Sequence, residues 1–498
     1  MDAGPCPTGE WAKFGKKKKS TESVEERKAN AMGPEEIELT ENASQTASRQ
    51  LVRGERDLTQ GGITSTLVTF AIPFFIANLL QALYGSVDLM IVGRFATSVA
   101  DVSAVACGSQ IITVILMTVA GLTTAGTVLI GKFFGARQYE EVSKTIGTML
   151  STFLVCTVLI TALMFWAAPC LVRLLRTPED ALADADRYVL ICSAGTIFIF
   201  GYNGFSAILR GVGNSTSPMI FVAIACVCNI LLDLLLVGKY SMGAVGAAIA
   251  TVGSQALSMF FAIAYIRRMG NLFDFHLRSF RIVPELVKKL FVIGLPLSVQ
   301  SVLIDFSFML IFSIINKLGI EASAGYGICA RLNGFTMLFS ISFGMALTAI
   351  VAQNLGAGQT KRALDFLKMS IFLSGIIAIL LFCWMEFWPE SAFMIFTKEP
   401  GVIAAGSNYM KSFCFDVLLV AFVFSANGFL NGSGHTRFTM VNNLLPTFLI
   451  RVPGAWLISR LPGATLYGIG WAAPLASLLS VIITLIYLKT GRWKIKRI

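Results

Sequence analysis

Long uncharged apolar runs recur along this chain from residue 63 to residue 488 and constrain its fold more than any other feature. Each run is long enough to cross about 30 Å of hydrocarbon, which takes about 20 helical residues. Of the 498 residues, 55% are hydrophobic and only 14% are charged, which is too few charges for the surface of a soluble protein of this size. Regular strand-like alternation does not appear in the sequence, so we predict helices rather than a β-barrel.

Turn residues and charges divide the apolar region into twelve predicted membrane-spanning helices. They cover residues 63–92, 102–131, 143–169, 187–209, 217–238, 243–267, 287–315, 322–352, 363–388, 404–430, 438–459 and 465–488. We therefore predict an all-α membrane protein.

The two halves of the chain carry matching motifs at a constant displacement of 221 residues. GKFFGAR at 131–137 aligns with AQNLGAG at 352–358, and LRGVGN at 209–214 aligns with LNGSGH at 430–435. Six spans per half is an even number, so both halves enter the membrane in the same direction. This predicts two six-helix bundles related by a pseudo-twofold axis along the membrane normal, with substrate bound between or within them.

The domain prediction follows from the spans. We expect a disordered cytoplasmic tail over 1–57, an N-terminal bundle over 58–267, a cytoplasmic linker over 268–286, a C-terminal bundle over 287–488 and a basic cytoplasmic tail over 489–498. With both termini inside a cell membrane, the inner connections hold nineteen Lys and Arg residues and the outer ones nine. The net charge of +11 is therefore a topological signal and does not predict binding of nucleic acid.

A carboxyl group inside an apolar span needs a physical reason, and Asp233 is the clearest case. Asn229 and Asp233 lie one helical turn apart, so both project from one face of the fifth span. Asp88 lies at a similar depth in the first span, one turn after Tyr84, and Thr251 lies toward the outer side of the sixth. An ionisable residue within the membrane is by default a candidate for an ion or substrate path.

We predict that Asp88, Asn229, Asp233 and Thr251 converge as an all-oxygen cage. Such ligands suit a hard cation such as Na⁺, for which these four residues would be the metal ligands, or a proton shared between carboxylates. Two carboxyl groups close together in low dielectric cannot both stay ionised, so one becomes a proton carrier. The alternative, which we favour less, is that Asp88 and Asp233 only hydrogen-bond helices together. Neighbouring residues expected along the cavity are Gln81, Tyr84 and Asn203.

The C-terminal half lacks this site, because the repeat partners of Asn229 and Asp233 are Ile450 and Gly454. Four ionisable residues lie inside its spans instead, and their charges cancel. They are Asp305, Arg331, Asp416 and Arg451. These side chains could line a cavity and take part in substrate binding or gating. The interpretation that we favour is two buried ion pairs that fix the packing of the second bundle.

These residues resemble the multidrug and toxic compound extrusion (MATE) family, in its DinF-like branch. The resemblance covers residues 63–488 and rests on PFFIANLLQALYGSVDLMIVG at 73–93, the Asn229–Asp233 pair, the following GAVGAAIAT and the doubled six-span plan. It implies that Asp88, Asn229, Asp233 and Thr251 bind the coupling cation. It also implies export of bulky, often cationic organic compounds, driven by inward flow of H⁺ or Na⁺ and without a cofactor.

Two other functions stay open. A lipid-linked precursor flippase of the same superfamily would share the two-bundle plan, but such a protein would favour a more basic cavity and additional spans. A membrane-embedded enzyme would need a reactive constellation, and with two histidines and scattered cysteines we find no catalytic residues. We therefore expect a transporter and not an enzyme, working as a monomer in the lipid bilayer on small organic substrates.

Overall fold

The computed structural model describes residues 56–95, 98–175, 177–269, 272–463 and 465–494, and within them the chain is helical without strands. The predicted tail over 1–57 lies outside the described residues except for its last two, as do the final four residues of the basic C-terminal tail. The helices are α1 Ile63–Phe95, α2 Val99–Gly135, α3 Tyr139–Leu174, α4 Glu179–Ala194, α5 Thr196–Gly211, α6 Thr216–Asp233, α7 Gly243–Met269, α8 Pro284–Ile315, α9 Ile320–Gly356, α10 Thr360–Phe387, α11 Pro389–Met394, α12 Pro400–Gly432, α13 Thr436–Pro446, α14 Val452–Ser459, α15 Leu466–Gly470 and α16 Ala472–Lys489. Two π-helical segments are π1 Leu234–Lys239 and π2 Thr447–Arg451.

The chain crosses the membrane twelve times. Ten helical stretches are long and apolar enough to span it alone, and α4 with α5, bent by 44°, forms an eleventh crossing. The twelfth is the unbroken helical run of α13, π2 and α14. Each predicted span lies within one crossing, except that the predicted ends at 388 and 465 are each one residue outside the helix, and the helices extend up to eight residues beyond the predicted ends. The predicted all-α fold is therefore confirmed.

The internal repeat is visible in the backbone of the connecting turns. The turns after α2 and α9 contain Arg137 at φ 57° and Gly358 at φ 75°, and those after α5 and α12 contain Gly213 at φ 88° and Gly434 at φ 84°. Both pairs are displaced by the repeat length. Because positive φ favours glycine, three of the four positions hold one.

A side-chain hydrogen bond inside each bundle repeats in the same way. Thr127 on α2 donates its hydroxyl to the Ala207 carbonyl on α5 at 3.3 Å, and Thr348 on α9 donates to the Gly428 carbonyl on α12 at 3.2 Å. The helix pairs α2–α5 and α9–α12 are therefore packed alike. This agreement supports the pseudo-twofold relation between the bundles.

The two copies of the glycine motif meet across the interface between the bundles. A Cβ atom on Gly135 would lie 2.0 Å from the Gln353 carbonyl oxygen, and one on Gly356 would lie 2.1 Å from the Lys132 carbonyl oxygen. Lys132 and Gln353 are repeat partners, as are Gly135 and Gly356. The two close approaches are thus a single contact repeated by the twofold axis, and only glycine allows the helices to come this near.

The membrane face that carries the α2–α3, α7–α8 and α9–α10 connections is called the basic face below. Near it, Gln353 donates Nε2–H to the Gly211 carbonyl at 2.7 Å and accepts the Leu58 N–H at 3.2 Å. Close to mid-depth, Ser298 donates to the Thr118 carbonyl at 2.7 Å. Among the described residues, no hydrogen bond joins the bundles in the half next to the opposite face. The bundles are therefore held together on the basic side.

The first half of α1 belongs physically to the C-terminal bundle. Its buried residues Leu67, Phe70 and Phe74 share one hydrophobic core with Phe343 on α9 and Phe366 on α10. The same helix also contacts α6, π1 and α7 of the N-terminal bundle. One helix thus connects the cores of both bundles.

The connection between α7 and α8 is packed against α3. Thr148 donates its hydroxyl to the Arg281 carbonyl at 2.9 Å and accepts the Val283 N–H at 3.3 Å. A Cβ atom on Gly147 would lie 2.0 Å from the Ser279 carbonyl oxygen. This segment is therefore held on the N-terminal bundle. The limits of the domains given in the sequence analysis stay predictions.

Candidate cation site

The paired carboxylates lie where α1, α6 and α7 meet. Asp88 is 7% exposed and Asp233 is completely buried, and their side chains interact directly with each other. Seven residues separate Asp88 from the end of α1, and π1 separates Asp233 from the next turn, so both lie roughly 10 Å from the opposite face. The fold therefore brings together the two acids that the sequence singles out.

A change of helix type follows Asp233 immediately, where α6 becomes π1. The wider π turn alters the direction of successive side chains, and such segments often occur at functional sites. The letters LLLVGK do not differ from those of an ordinary apolar helix. This part of the site is therefore not predictable from the sequence.

Two hydroxyl groups complete the side of the site next to α7. The Tyr84 and Thr251 hydroxyl groups lie near each other without a hydrogen bond between them, and Tyr84 also lies near Asp88 and Asp233. Asn229 lies one turn before Asp233 on α6 and is completely buried. All four predicted cage residues, with Tyr84, are thus located around the helix junction.

Seven buried atoms of these side chains have no hydrogen-bond partner among the described residues. They are Tyr84 Oη, Asp88 Oδ1, Asn229 Oδ1 and Nδ2, Asp233 Oδ1 and Oδ2, and Thr251 Oγ1. Leaving one buried polar group unsatisfied costs about 1–3 kcal/mol, so a cluster of them needs an explanation. Six of the seven are oxygens, which suits a proton or a hard cation.

The composition of the cluster limits what it can bind. Within the described residues, no three His, Cys, Asp or Glu side chains lie together as a metal-binding group. The donors are two carboxylates with amide and hydroxyl oxygens, which bind hard cations rather than soft transition metals. The cation-binding roles of the four residues stay predictions.

One positioning residue is missing from the sequence prediction. Asp101, near the start of α2, accepts the Ala244 N–H at 3.1 Å and so caps the first turn of α7, the helix that carries Thr251. Gly243 leaves room for this contact, because a Cβ atom there would lie 2.2 Å from Asp101 Oδ1. Asp101 lies at the end of a predicted span, where an aspartate is expected to face solvent, so the sequence gives no sign of this role.

Two further side chains on α4 face the site. Tyr188 and Cys192 lie near Asp88 and Tyr84, and both are buried. Gly108 on α2 makes space for the tyrosine, because a Cβ atom there would lie 2.4 Å from the Tyr188 ring. Their spacing of one helical turn is the only sequence signal that marks them.

Two predicted neighbours lie apart from the carboxylates. Asn203 on α5 donates Nδ2–H to the Ile199 carbonyl of its own helix at 2.8 Å. Gln81 is exposed on α1. Within the described residues, no hydrogen bond connects either side chain to Asp88 or Asp233.

The two ion pairs favoured for the second bundle are wrong. None of Asp305, Arg331, Asp416 and Arg451 forms a salt bridge within 4.0 Å to any described residue. Arg331 is exposed, and the Arg451 guanidinium lies 3.9 Å from the centroid of the Phe308 ring. Arg451 is thus held by an aromatic face rather than by a carboxylate.

Three of these four residues line a cavity instead. Asp305, Asp416 and Arg451 lie on the wall of a cavity of about 370 Å³ in the C-terminal bundle. Met117 of α2 also contributes to the wall, so the cavity faces the N-terminal bundle. The other sequence interpretation, in which these charges line a cavity, agrees with the structure for these three.

Comparisons with known proteins agree with this architecture. The MatE family model matches residues 73–235 and 296–457, once in each bundle. The probable multidrug resistance protein YpnP of Bacillus subtilis is 28% identical over 440 residues, covering 88% of this chain and 97% of that protein. The probable multidrug resistance protein NorM of Thermotoga maritima is 23% identical over 440 residues, covering 87% and 93%.

A solved structure shows the same fold. The outward-facing conformation of a multidrug resistance MATE family transporter of the MOP superfamily superposes with a TM-score of 0.82 at 20% identity, covering 89% of this chain and 99% of that one. The family model covers more than half of the chain and both bundles. The protein therefore belongs to the MatE family, the multidrug and toxic compound extrusion (MATE) transporters.

Proposed function

We propose that the protein is a secondary active antiporter that exports organic compounds, often cationic, in exchange for H⁺ or Na⁺. The observation that carries this proposal is the cluster of unpartnered buried oxygens around Asp88 and Asp233. The names of the relatives, which are multidrug resistance proteins, support drugs or similar metabolites as substrates.

The basic face is assigned to the cytoplasm in this proposal. It carries the excess of Lys and Arg, as cytoplasmic connections of membrane proteins do. Both termini then lie in the cytoplasm of a cell that holds the protein in its plasma or inner membrane. The bundles are closed at the cytoplasmic side and their polar sites lie toward the exterior, as in an outward-facing transporter. We assign the protein to the DinF-like branch as a monomer.

Coupling follows from the charge at the site and from the double attachment of α1. Without a bound cation, two buried carboxylates repel each other, and α1 is pushed from α6. A proton or Na⁺ removes that repulsion and lets the helices close on Asp88 and Asp233. Because Leu67, Phe70 and Phe74 fix the other half of α1 in the C-terminal core, this movement changes the relation of the two bundles.

Exchange requires that the cation and the substrate disfavour each other. An organic cation in the adjoining space is attracted by the ionised carboxylates, and this attraction is lost when a proton or Na⁺ neutralises them. By linkage, each ligand lowers the affinity of the other by the same factor. The inward gradient of the small cation then drives release of the substrate to the exterior.

The test is efflux from proteoliposomes that contain purified protein and the fluorescent cation ethidium. A pH gradient and a sodium gradient are imposed separately, and the wild type is expected to respond to one of them. Asp88→Asn and Asp233→Asn should lose gradient-driven efflux, because neither amide can exchange charge with the cation. Asp365→Asn is the matched control, since Asp365 lies on α10 in an exposed pair with Lys368.

Retention of gradient-driven efflux in both site variants would refute the proposal. Membrane insertion and melting temperature of each variant show whether a loss of efflux comes from misfolding. Resistance of pump-deficient cells to toxic organic cations gives the same comparison in vivo.

A further inference from the structure

A groove on the lipid-facing surface lies between the first half of α1 and the helices α9 and α10. Its volume is about 290 Å³, and nine of its ten lining residues are apolar. Ile72 of α1 is 50% exposed and Ile376 of α10 is 43% exposed, so the groove opens toward the surrounding hydrocarbon. The space that the three helices leave here is therefore accessible to a lipid.

The single polar lining residue is Ser342 on α9, and its hydroxyl group is used within the protein. It donates to the Leu338 carbonyl and accepts Nδ2–H of Asn78 at 3.3 Å. The Phe75 and Phe339 rings, which also line the groove, stack with their centroids 4.2 Å apart. Among the described residues, no lining side chain has a buried polar atom that lacks a partner. The groove therefore suits a hydrocarbon chain rather than water or a polar ligand.

The groove lies in the leaflet next to the basic face. Val68 and Phe75 follow the first residue of α1 by five and twelve positions, which places them roughly 8 and 18 Å further into the membrane. One leaflet contributes about 15 Å of hydrocarbon. An acyl chain whose headgroup lies at the basic face therefore reaches the groove and passes along it.

Hydrogen bonds hold the first turns of α10 beside the start of α1 at the basic end of the groove. Arg362 donates Nη2–H to the carbonyls of Gln60 and Gly61, each at 2.8 Å. Thr64 contacts Met369 one turn further into the membrane, with its hydroxyl 3.5 Å from the sulfur atom. The two helices that flank the groove are therefore also neighbours at the level of the lipid headgroups, and Arg362 adds a positive charge there.

Lys368 lies on the same side of α10 as the mouth of the groove. Spacings of four residues connect Lys368 to Phe372 and Phe372 to Ile376, so the three side chains form one stripe along the helix. Phe372 is 62% exposed, and the stripe therefore faces lipid. The ammonium group of Lys368 lies 3.8 Å from Asp365 in a solvent-exposed pair, which leaves it available to an anion.

We propose that this groove binds an acyl chain of an anionic phospholipid, with the lipid phosphate group at Lys368 and Arg362. A phospholipid satisfies both parts of the surface at once, because its chain fills the apolar space and its charged group meets the two cations. A soluble anion leaves the groove empty, and a lipid without net charge leaves the cations uncompensated. Bound in this way, the lipid bridges α1 and α10. The site is separate from the paired carboxylates and does not depend on the proposed antiport.

The direct test measures lipid binding to the full-length protein by native mass spectrometry. Protein purified in dodecyl maltoside and freed of lipid is titrated with dioleoylphosphatidylglycerol, which is anionic, or with dioleoylphosphatidylcholine, which is zwitterionic and carries the same chains. The first phosphatidylglycerol should bind about tenfold to thirtyfold tighter than the first phosphatidylcholine, because each of two cations near an anionic headgroup contributes about fivefold.

Charge variants of Lys368 test recognition of the headgroup. Lys368→Gln should lower the preference for phosphatidylglycerol about fivefold, and Lys368→Glu should lower it further. Lys288→Gln and Lys288→Glu are the matched controls, because Lys288 is an exposed lysine of the same face, on α8, and does not line the groove. They should keep the wild-type preference. Both lysines are exposed, so all four variants should keep the wild-type melting temperature, and Lys368→Gln decides if Lys368→Glu does not fold.

A photoreactive lipid locates the acyl chain. Phosphatidylglycerol with a diazirine midway along one chain is irradiated with the protein, and the cross-linked peptides are identified by mass spectrometry. The label should be concentrated in residues 68–75 of α1 and 373–377 of α10. Ile376→Trp places a bulky ring at the mouth of the groove and should reduce this labelling. Ile379→Trp is the control, because Ile379 is 54% exposed on the same helix and does not line the groove.

Three results would overturn the inference. One is equal affinity of the wild type for the two lipids, or a preference that Lys368→Gln and Lys368→Glu leave unchanged. Another is labelling that is spread evenly over the lipid-facing helices. The third is displacement of the bound phosphatidylglycerol by millimolar inorganic phosphate, which would assign the cations to a soluble anion. None of these measurements uses a gradient or an exported compound, so their outcome is distinct from that of the efflux assay.

Discussion

The contact between the two glycine motifs predicts how the basic face is held shut. In Gly135→Ala, the new Cβ atom would lie 2.0 Å from the Gln353 carbonyl oxygen, so α2 and α9 must separate by roughly 1.4 Å to restore ordinary contact. Overpacking of a tight interface costs about 1–3 kcal/mol. The closed form should therefore lose about 5- to 150-fold in population relative to the form open at the basic face.

The assay is double electron–electron resonance, which measures the distance between two spin labels. The labels are attached at Gln138→Cys and Gln359→Cys, in a background without the ten native cysteines. Both positions are exposed and lie in repeat-related turns, one on each bundle. Gly135→Ala should add a population with a longer label-to-label distance. Gly375→Ala is the control, because a Cβ atom on α10 at that position meets nothing within 4 Å.

Symmetry sharpens the prediction for the same interface. Gly356→Ala should shift the distance as Gly135→Ala does, because its Cβ atom would lie 2.1 Å from the Lys132 carbonyl oxygen. In the double variant, the free-energy cost to the closed form should be less than the sum of the costs in the two single variants. One separation of the helices relieves both clashes. An unchanged distance in all three variants, together with wild-type efflux, would refute the assignment of this contact as the closure of the basic face.

Two further substitutions test individual side-chain contacts. Gln353→Ala removes the bonds that join α9 to α5 and to the segment before α1, and should lengthen the same label-to-label distance. Lys361→Ala, at an exposed side chain on α10, should leave the distance unchanged. Asp101→Ala removes the acceptor of the Ala244 N–H and should lower the free energy of unfolding by about 1 kcal/mol. Thermal unfolding in detergent measures this loss, and an unchanged melting temperature would exclude the cap as a stabilising contact.

Much of the architecture follows from the sequence because hydrocarbon permits so few backbone structures. An apolar run of 20 residues must form a helix there to satisfy its own N–H and C=O groups. The repeat displacement then relates the two halves, and its paired residues Gly135 and Gly356 each pack against the backbone of the other bundle. The bend between α4 and α5 and the π segments depend on packing and have no comparable signal.

The sequence predicts those parts of the candidate site in which a polar side chain is costly to bury in the membrane. Asp88 and Asp233 are conspicuous because a carboxyl group inside an apolar span requires a partner, and the fold makes each the neighbour of the other. Tyr188 is not conspicuous, because tyrosine is common near the ends of membrane spans. Charge balance misled the interpretation of the second bundle, since equal numbers of acids and bases do not fix their distances.

The repeat also explains why the two bundles carry different polar sites at corresponding places. Displacement by 221 residues takes Tyr84 on α1 to Asp305 on α8, and takes Asn229 on α6 to the residue next to Arg451 on π2. The same pair of helices therefore presents polar groups to the interior of each bundle, but one bundle holds acids with neutral oxygens and the other holds acids with a guanidinium. The unpartnered oxygens of the first set suit a small cation. Because α1 packs against both bundles, we expect cation binding at the first set to change the position of the second.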